Sequence, residues 1–147
     1  MKQNSLKGFT LLELLVVMAI ISILSVVALP TFVNYATRSK VSEGLAIAAG
    51  AKIAVMDAYL NNEVFPVTNA QAGLGLSTDY ARQFVIGLTV GSVPSPGAIT
   101  VELDLPPLGT DNLLQLVPTF NGSTFDWTCQ VAAVNGLQGI FVPGSCR

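Results

Sequence analysis

The sequence predicts an α+β protein in which one long N-terminal helix packs on an antiparallel sheet of about four strands and a disulfide closes the C-terminal region. Three observations support this fold class. An apolar run between Gly8 and Pro30 is followed by a helical repeat up to residue 61. Four runs rich in Val, Ile, Thr and aromatic residues then alternate with turns that contain Pro or Gly. The two cysteines, Cys129 and Cys146, lie near the end of the chain.

The apolar run holds 21 residues, with Glu13 as its single charged side chain. At about 1.5 Å per residue, a helix of this length covers roughly 30 Å, the thickness of the hydrocarbon core of a bilayer. Lys2 and Lys7 precede the run without any acid, which favours a cytoplasmic N-terminus and an outward-facing remainder. No A-x-A-like cleavage site follows the run, and it contains a carboxylate, so it differs from an ordinary secretory signal.

The stretch K-GFTLLELLVV, continued by II-x-IL and ALP, resembles the prepilin N-terminus shared by type IV pilins and their relatives. The resemblance implies that a membrane-embedded prepilin peptidase cleaves between Gly8 and Phe9 and that Phe9 becomes N-methylated. Glu13 matches the acid that pairs with the N-terminal amine of a neighbouring subunit during assembly. Pro30 matches the proline at which the family's helix bends. Ser22 stands where many members have Gly, so a melted segment before Pro30 is less expected here.

The assembly role of Glu13 also agrees with electrostatics. A carboxylate in apolar surroundings needs a cation or hydrogen-bond donors, and a free amine on another helix would supply them. The alternative is that Glu13 lies near the membrane interface and that the run is a plain signal anchor.

After Pro30 the helix is expected to become amphipathic and to cover the sheet with one face. Pro30 itself predicts a kink. Gly44 and Gly50 each destabilise a helix interior by about 1 kcal/mol relative to Ala. Their presence would be explained by close packing against a neighbouring helix or by plain tolerance. The helix is predicted to end at Asn61-Asn62, and residues 62–82 to form an irregular connection. The predicted buried face consists of Val41, Leu45, Ala48, Lys52, Val55 and Tyr59.

The strands are predicted at residues 84–90, 98–105, 113–120 and 123–131. In the second of these, apolar residues alternate with polar ones, so one face should be buried and the other wet. Asn121-Gly122 indicates a hairpin between the last two strands. Pro118 predicts an edge strand or a strand end, because proline cannot donate to a sheet ladder.

The cysteine pair predicts a disulfide if the head faces an oxidising compartment, with two unpaired buried thiols as the alternative. Its loop of 18 residues, counting both ends, corresponds to roughly 3 kcal/mol of stabilisation. The resulting tail resembles the disulfide-bounded C-terminal region of type IV pilins. The chain has no His, and two widely spaced Cys cannot complete a zinc tetrahedron. We therefore expect no catalytic residue, no metal and no cofactor, and we do not expect an enzyme.

The chain is predicted to comprise a leader peptide (1–8), a transmembrane or filament-core helix (9–30), an amphipathic helix half (31–61) and a globular β head (62–147). Losing the leader removes two Lys and leaves five basic residues against nine acidic ones. An acidic head argues against a broad phosphate-binding surface, so charge does not support DNA binding.

The family resemblance implies a structural subunit that assembles with its own copies into a helical type IV pilus. It further implies three other partners: the prepilin peptidase, an inner-membrane assembly platform and membrane lipid before assembly. The chain would reside in the inner membrane as a precursor and then in the extracellular pilus, where such filaments serve adhesion, twitching motility or DNA uptake. The alternatives are a minor pilin, a type II secretion pseudopilin, or an unprocessed membrane-anchored binding domain.

Overall fold

The computed structural model describes residues 8–106, 108 and 112–146. Most of the predicted leader, residues 1–7 with Lys2 and Lys7, lies outside the described residues. The chain forms two compact units, one up to Asn34 and one from Tyr35 onward. The elements are helix α1 (Leu11–Asn62), a 3-10 helix (Ser77–Tyr80), strands β1 (Val85–Gly91), β2 (Ala98–Leu103), β3 (Asn112–Phe120) and β4 (Phe125–Val131), and a second 3-10 helix (Gly144–Cys146).

Helix α1 continues through Pro30 and ends where the sequence predicts. Glu63, the residue after the helix, has a positive φ of 56°, and its N–H donates to the Tyr59 carbonyl at 2.7 Å. The side-chain amides of Asn61 and Asn62 donate to the carbonyls four residues earlier, both at 2.9 Å. The Glu63 bond satisfies the Tyr59 carbonyl, one of the last four carbonyls of the helix, which lack partners within it. The predicted end is confirmed, whereas the kink at Pro30 stays a prediction.

The four strands form one antiparallel sheet in the order β1-β2-β3-β4. The predicted fold class is confirmed, with strand ends that differ from the predicted ones by one or two residues. The alternation predicted for the second strand is also confirmed, since Ile99, Val101 and Leu103 are fully buried while Thr100 and Glu102 are partly exposed.

The core of the second unit lies between the sheet and one face of α1. Of the predicted helix face, Val41, Ala48 and Val55 are buried, while the larger Leu45, Lys52 and Tyr59 are only partly buried. Small residues contribute much of the rest of this face, so the helix backbone approaches the sheet closely. The buried helix residues are Thr37, Val41, Gly44, Ala48, Ala51, Val55 and Ala58.

Gly44 shows how close this approach is. A Cβ atom at Gly44 would lie 2.8 Å from Cδ2 of Leu103 and 3.1 Å from Cγ1 of Val101, both in β2. The expectation of packing against a neighbouring helix is therefore wrong for Gly44, because a strand is its neighbour. At Gly50 an added Cβ would meet no other atom of the described residues within 4 Å, so both explanations of this glycine stay predictions.

Pro118 lies in β3, an interior strand of the sheet. The pairing of β2 with β3 stops at Ile99 and Leu116, so at Pro118 only β4 remains as a partner, through Trp127. Pro118 thus lies two residues before the end of β3, where this interior strand has a free edge on one side, as the prediction of an edge or a strand end requires. The missing N–H of proline is tolerated because the β2 ladder has already ended.

The predicted hairpin between β3 and β4 is confirmed, with a loop of four residues between Phe120 and Phe125. The Asn121 side-chain oxygen accepts hydrogen bonds from the N–H groups of Ser123 and Thr124 at 3.2 and 2.9 Å. Gly122 has a φ of 90°, a conformation that glycine adopts without a steric penalty.

The free edge of β1 is occupied by the side chain of Asn69 from the preceding connection. Val90 N–H donates to the Asn69 side-chain oxygen at 2.6 Å, and the Asn69 amide donates to the Leu88 carbonyl at 3.0 Å. The amide group thus takes the place of a neighbouring strand, which protects an edge that could otherwise pair with another chain.

The C-terminal tail folds back on the sheet and is held by the Cys129–Cys146 disulfide, whose Cα atoms are 4.4 Å apart. The tail also bonds to the start of β3, where Leu113 N–H donates to the Asn135 carbonyl at 2.8 Å. Leu137 and Val142 of the tail are buried in the core. The predicted disulfide is confirmed, and the alternative of two unpaired thiols is wrong.

Candidate functional site

The candidate site is the apolar segment, residues 9–30, which is helical from Leu11. The helix is long and apolar enough to cross a membrane. Its large apolar side chains are 47–81% exposed, from Phe9 to Leu29. Soluble monomers rarely expose so large a continuous apolar surface, so this segment is completed by lipid or by other protein chains.

The helix begins with a cap that the sequence reasoning missed. The Thr10 hydroxyl oxygen accepts a hydrogen bond from the N–H of Glu13 at 3.3 Å, and the Thr10 carbonyl accepts one from the N–H of Leu14 at 3.3 Å. Thr10 is therefore the N-cap and Glu13 the third helical residue, which is the spacing of a capping box. The signal was present in the sequence as T-x-x-E directly before an apolar run.

Glu13 lies exposed in the first turn of α1. A carboxylate there interacts favourably with the positive end of the helix dipole. Once the surrounding apolar side chains are covered by lipid or protein, the carboxylate also needs a cation or hydrogen-bond donors from its new neighbour. Glu13 is the one charged side chain of this segment, and its role in assembly stays a prediction.

The serine and threonine hydroxyls of this part of the helix form hydrogen bonds within the helix itself. Ser22, Ser25 and Thr31 each donate to the carbonyl four residues earlier, at 2.8, 2.8 and 3.1 Å. Internal bonds of this kind allow polar side chains to enter an apolar environment. Ser22 therefore adds no unsatisfied group to the apolar segment.

The described part of the head holds no group of three or more His, Cys, Asp or Glu side chains that could bind a metal ion. Both cysteines are joined in the disulfide. These observations agree with the prediction that the protein has no catalytic residue and no cofactor, which stays a prediction.

Two protein-family models match the chain. Residues 4–29 match the prokaryotic N-terminal methylation motif. Residues 37–147, most of the chain, match the family described as pilin, a bacterial filament. The chain belongs to the pilin family.

Individual pilins and fimbrial proteins agree with the family match. The chain is 35% identical over 144 residues to the fimbrial protein EcpC of Eikenella corrodens, which covers 96% of this chain and 90% of the relative. It is 44% identical over 79 residues to the type IV major pilin PilE of Neisseria gonorrhoeae, and the aligned part is 54% of this chain and 47% of the relative. A fimbrial protein of Neisseria meningitidis is 45% identical over 84 residues, covering 57% and 49%. The chain thus aligns with about half the length of these two Neisseria relatives.

As a pilin, the chain is a structural subunit of a bacterial pilus, made as a membrane precursor that becomes part of the extracellular filament. The first family match ends at residue 29 and the second begins at residue 37, on either side of the boundary between the compact units at Asn34 and Tyr35. The methylation motif includes Gly8, Phe9 and Glu13, while Pro30 follows its last matched residue. The individual roles of these four residues stay predictions.

Proposed function

We propose that this pilin is made as a precursor, that a prepilin peptidase cleaves it between Gly8 and Phe9 and Phe9 is N-methylated, and that the processed chain joins a helical homopolymer through residues 9–30. The observation that supports this most is the exposed apolar segment with Glu13 as its only charged side chain. Such a segment needs an apolar environment both before and after assembly, which a bilayer and a filament core each provide.

In this proposal, Glu13 makes the filament more favourable than the lipid bilayer for the apolar segment. Lipid tails are as apolar as the segment, so apolar burial alone does not favour one environment over the other. Pairing of the Glu13 carboxylate with the new amine of Phe9 on a neighbouring copy stabilises the filament and sets the register of the two helices. A charge pair formed away from water is favourable only with such close geometry.

The other parts of the chain have distinct tasks in this proposal. The leader, 1–8, is removed; residues 9–30 form the membrane span and then the filament core. Residues 31–61 connect this core to the head, 62–147, which lies on the outside. Besides its own copies, the chain meets lipid, the prepilin peptidase and an inner-membrane assembly platform.

The relatives favour a major pilin over a minor pilin or a pseudopilin, because the matched gonococcal proteins are named major pilins. The excess of acidic residues on the head argues against a broad DNA-binding surface and leaves adhesion and twitching motility as the uses of the filament that charge does not oppose. No catalytic role is proposed.

The test is the intact mass of the protein from sheared filaments. We expect a chain that lacks residues 1–8 and carries one methyl group on Phe9. Gly8→Val should accumulate as the full-length precursor, because a bulky side chain at the cleavage site blocks leader removal. Gly50→Val, a control at an open glycine in the second half of α1, should be processed normally. An unprocessed wild-type chain, or Phe9 as the N-terminus of Gly8→Val, would contradict the proposal.

A further inference from the structure

We propose that Thr10 is a positioning residue for leader removal. Its hydroxyl fixes the start of α1 at Leu11 and so keeps the peptide bond between Gly8 and Phe9 outside the helix. This inference rests on the proposed cleavage at that bond and names the residue that keeps the bond accessible.

The geometry of the first turn carries the inference. Gly8, Phe9 and Thr10 are not helical, and α1 begins at the next residue. The N–H of Glu13 points to the Thr10 hydroxyl at 3.3 Å instead of to a backbone carbonyl. The i to i−4 bond from Leu14 N–H to the Thr10 carbonyl, 3.3 Å, closes the first turn.

Without the hydroxyl, the same donors would extend the helix toward the leader. In an α-helix each N–H bonds the carbonyl four residues earlier, so Glu13 N–H would bind the Phe9 carbonyl and Leu12 N–H the Gly8 carbonyl. The apolar residues that follow are compatible with a helix, and Gly8 alone opposes the extension by about 1 kcal/mol. The Thr10 hydroxyl competes with this extension directly, because it occupies the Glu13 N–H.

The extension matters because it would bury the group that reacts. In hydrolysis, water adds to the Gly8 carbonyl carbon and the bond to the Phe9 nitrogen breaks. Gly8 is left with a carboxylate, and the Phe9 nitrogen takes a proton and leaves as an amine. The peptidase has to approach this carbonyl in a defined geometry and to donate hydrogen bonds to its oxygen. A Gly8 oxygen already bonded to Leu12 N–H meets neither requirement.

The experiment measures cleavage of full-length precursors by purified prepilin peptidase in detergent, followed by intact mass. Thr10→Ser keeps the hydroxyl and should be cleaved at the wild-type rate. Thr10→Ala removes the cap and introduces the best helix former, so kcat/KM should fall about fivefold, equivalent to about 1 kcal/mol. Thr10→Gly also lacks the hydroxyl but opposes helix extension, so kcat/KM should stay within about twofold of the wild type.

A structural readout accompanies the rates. In Thr10→Ala, the ¹³Cα chemical shifts of Phe9 and residue 10 should move to helical values, and in Thr10→Gly they should not. Normal cleavage of Thr10→Ala would overturn this inference while leaving the proposed function intact. Equal slowing of the Ala and Gly variants would also overturn it, since it would mean that the peptidase contacts the hydroxyl itself. An uncleaved wild-type precursor would overturn the proposed function together with this inference.

Discussion

Helix α1 has two halves that differ in where their partners are. In the apolar segment, which belongs to the first compact unit, the large apolar side chains are exposed. From Thr37 onward, every third or fourth residue is buried within the second compact unit. The second half is therefore completed by intramolecular packing, whereas the first half is completed only by molecules outside the chain.

The two halves also differ in the residues that build them. The first half is apolar on all sides, which is typical of a helix surrounded by lipid or protein. The second half buries mainly small side chains, because its backbone lies close to β2, and keeps Asp57 exposed on the opposite side. Substitutions in the first half should thus change assembly without changing the stability of the head, and substitutions in the second unit should change stability.

The largest effect is expected from Glu13→Ala. The variant should lose filament assembly almost completely, because the apolar segment then gains nothing by leaving the lipid, while leader removal continues. The measurements are filament yield in electron micrographs and the free energy of unfolding of the head, which should not change. Asp57→Ala, which removes an exposed acid in the second half, is the matched control and should assemble normally. A normal filament yield from Glu13→Ala would contradict the assembly role.

The next effect concerns the disulfide of the head. Replacing Cys129 and Cys146 together by Ala should lower the free energy of unfolding by roughly 3 kcal/mol, because the unfolded chain is no longer constrained by the closed loop. Denaturant unfolding measures the change, and leader removal should be unaffected. Reductant should destabilise the wild type and leave the double variant unchanged. Two free thiols in non-reducing peptide mapping of the wild type would refute the cross-link.

The smallest effect is expected from substitutions of two glycines of α1, which should change the free energy of unfolding differently. Gly50→Ala should raise the free energy of unfolding by about 0.5–1 kcal/mol, since Ala is the better helix former and the added Cβ meets nothing. Gly44→Ala should show no such gain, because its Cβ would press on Leu103 in the buried core. The difference between the two variants in thermal unfolding is the measured quantity. Equal stabilisation by both would show that the helix and β2 are less closely packed than the structure indicates.

Much of the fold could be predicted because local patterns and long-range packing agree. The strand that contains Ile99, Val101 and Leu103 alternates in sequence as it does in burial. The end of α1 at Asn62 agrees with the local signal of Asn61-Asn62, two residues that are poor helix formers. The candidate site was predictable for the same reason, since its chemistry lies in one continuous stretch of residues.

Other features could not be predicted because they depend on contacts between distant residues. Asn69 looks like any loop residue in the sequence, and only the folded chain brings its amide to the edge of β1. Gly44 was predicted either to pack against a neighbouring helix or to be merely tolerated, and its neighbour proved to be β2. Thr10 belongs to a different class, because its T-x-x-E signal was local and was overlooked beside the stronger apolar pattern.

The sequence by itself determined the apolar segment, its single acid, the cysteine pair and the order of helix and strands, because each depends on residues that are close in the chain or on composition. The tertiary structure alone decided how closely α1 approaches β2, how Pro118 fits an interior strand and what covers the edge of β1. These depend on the distances between backbones far apart in sequence, and such distances are set by packing the whole core at once. The apolar segment has no such core within its own chain, which is why its pattern could be read from the sequence alone.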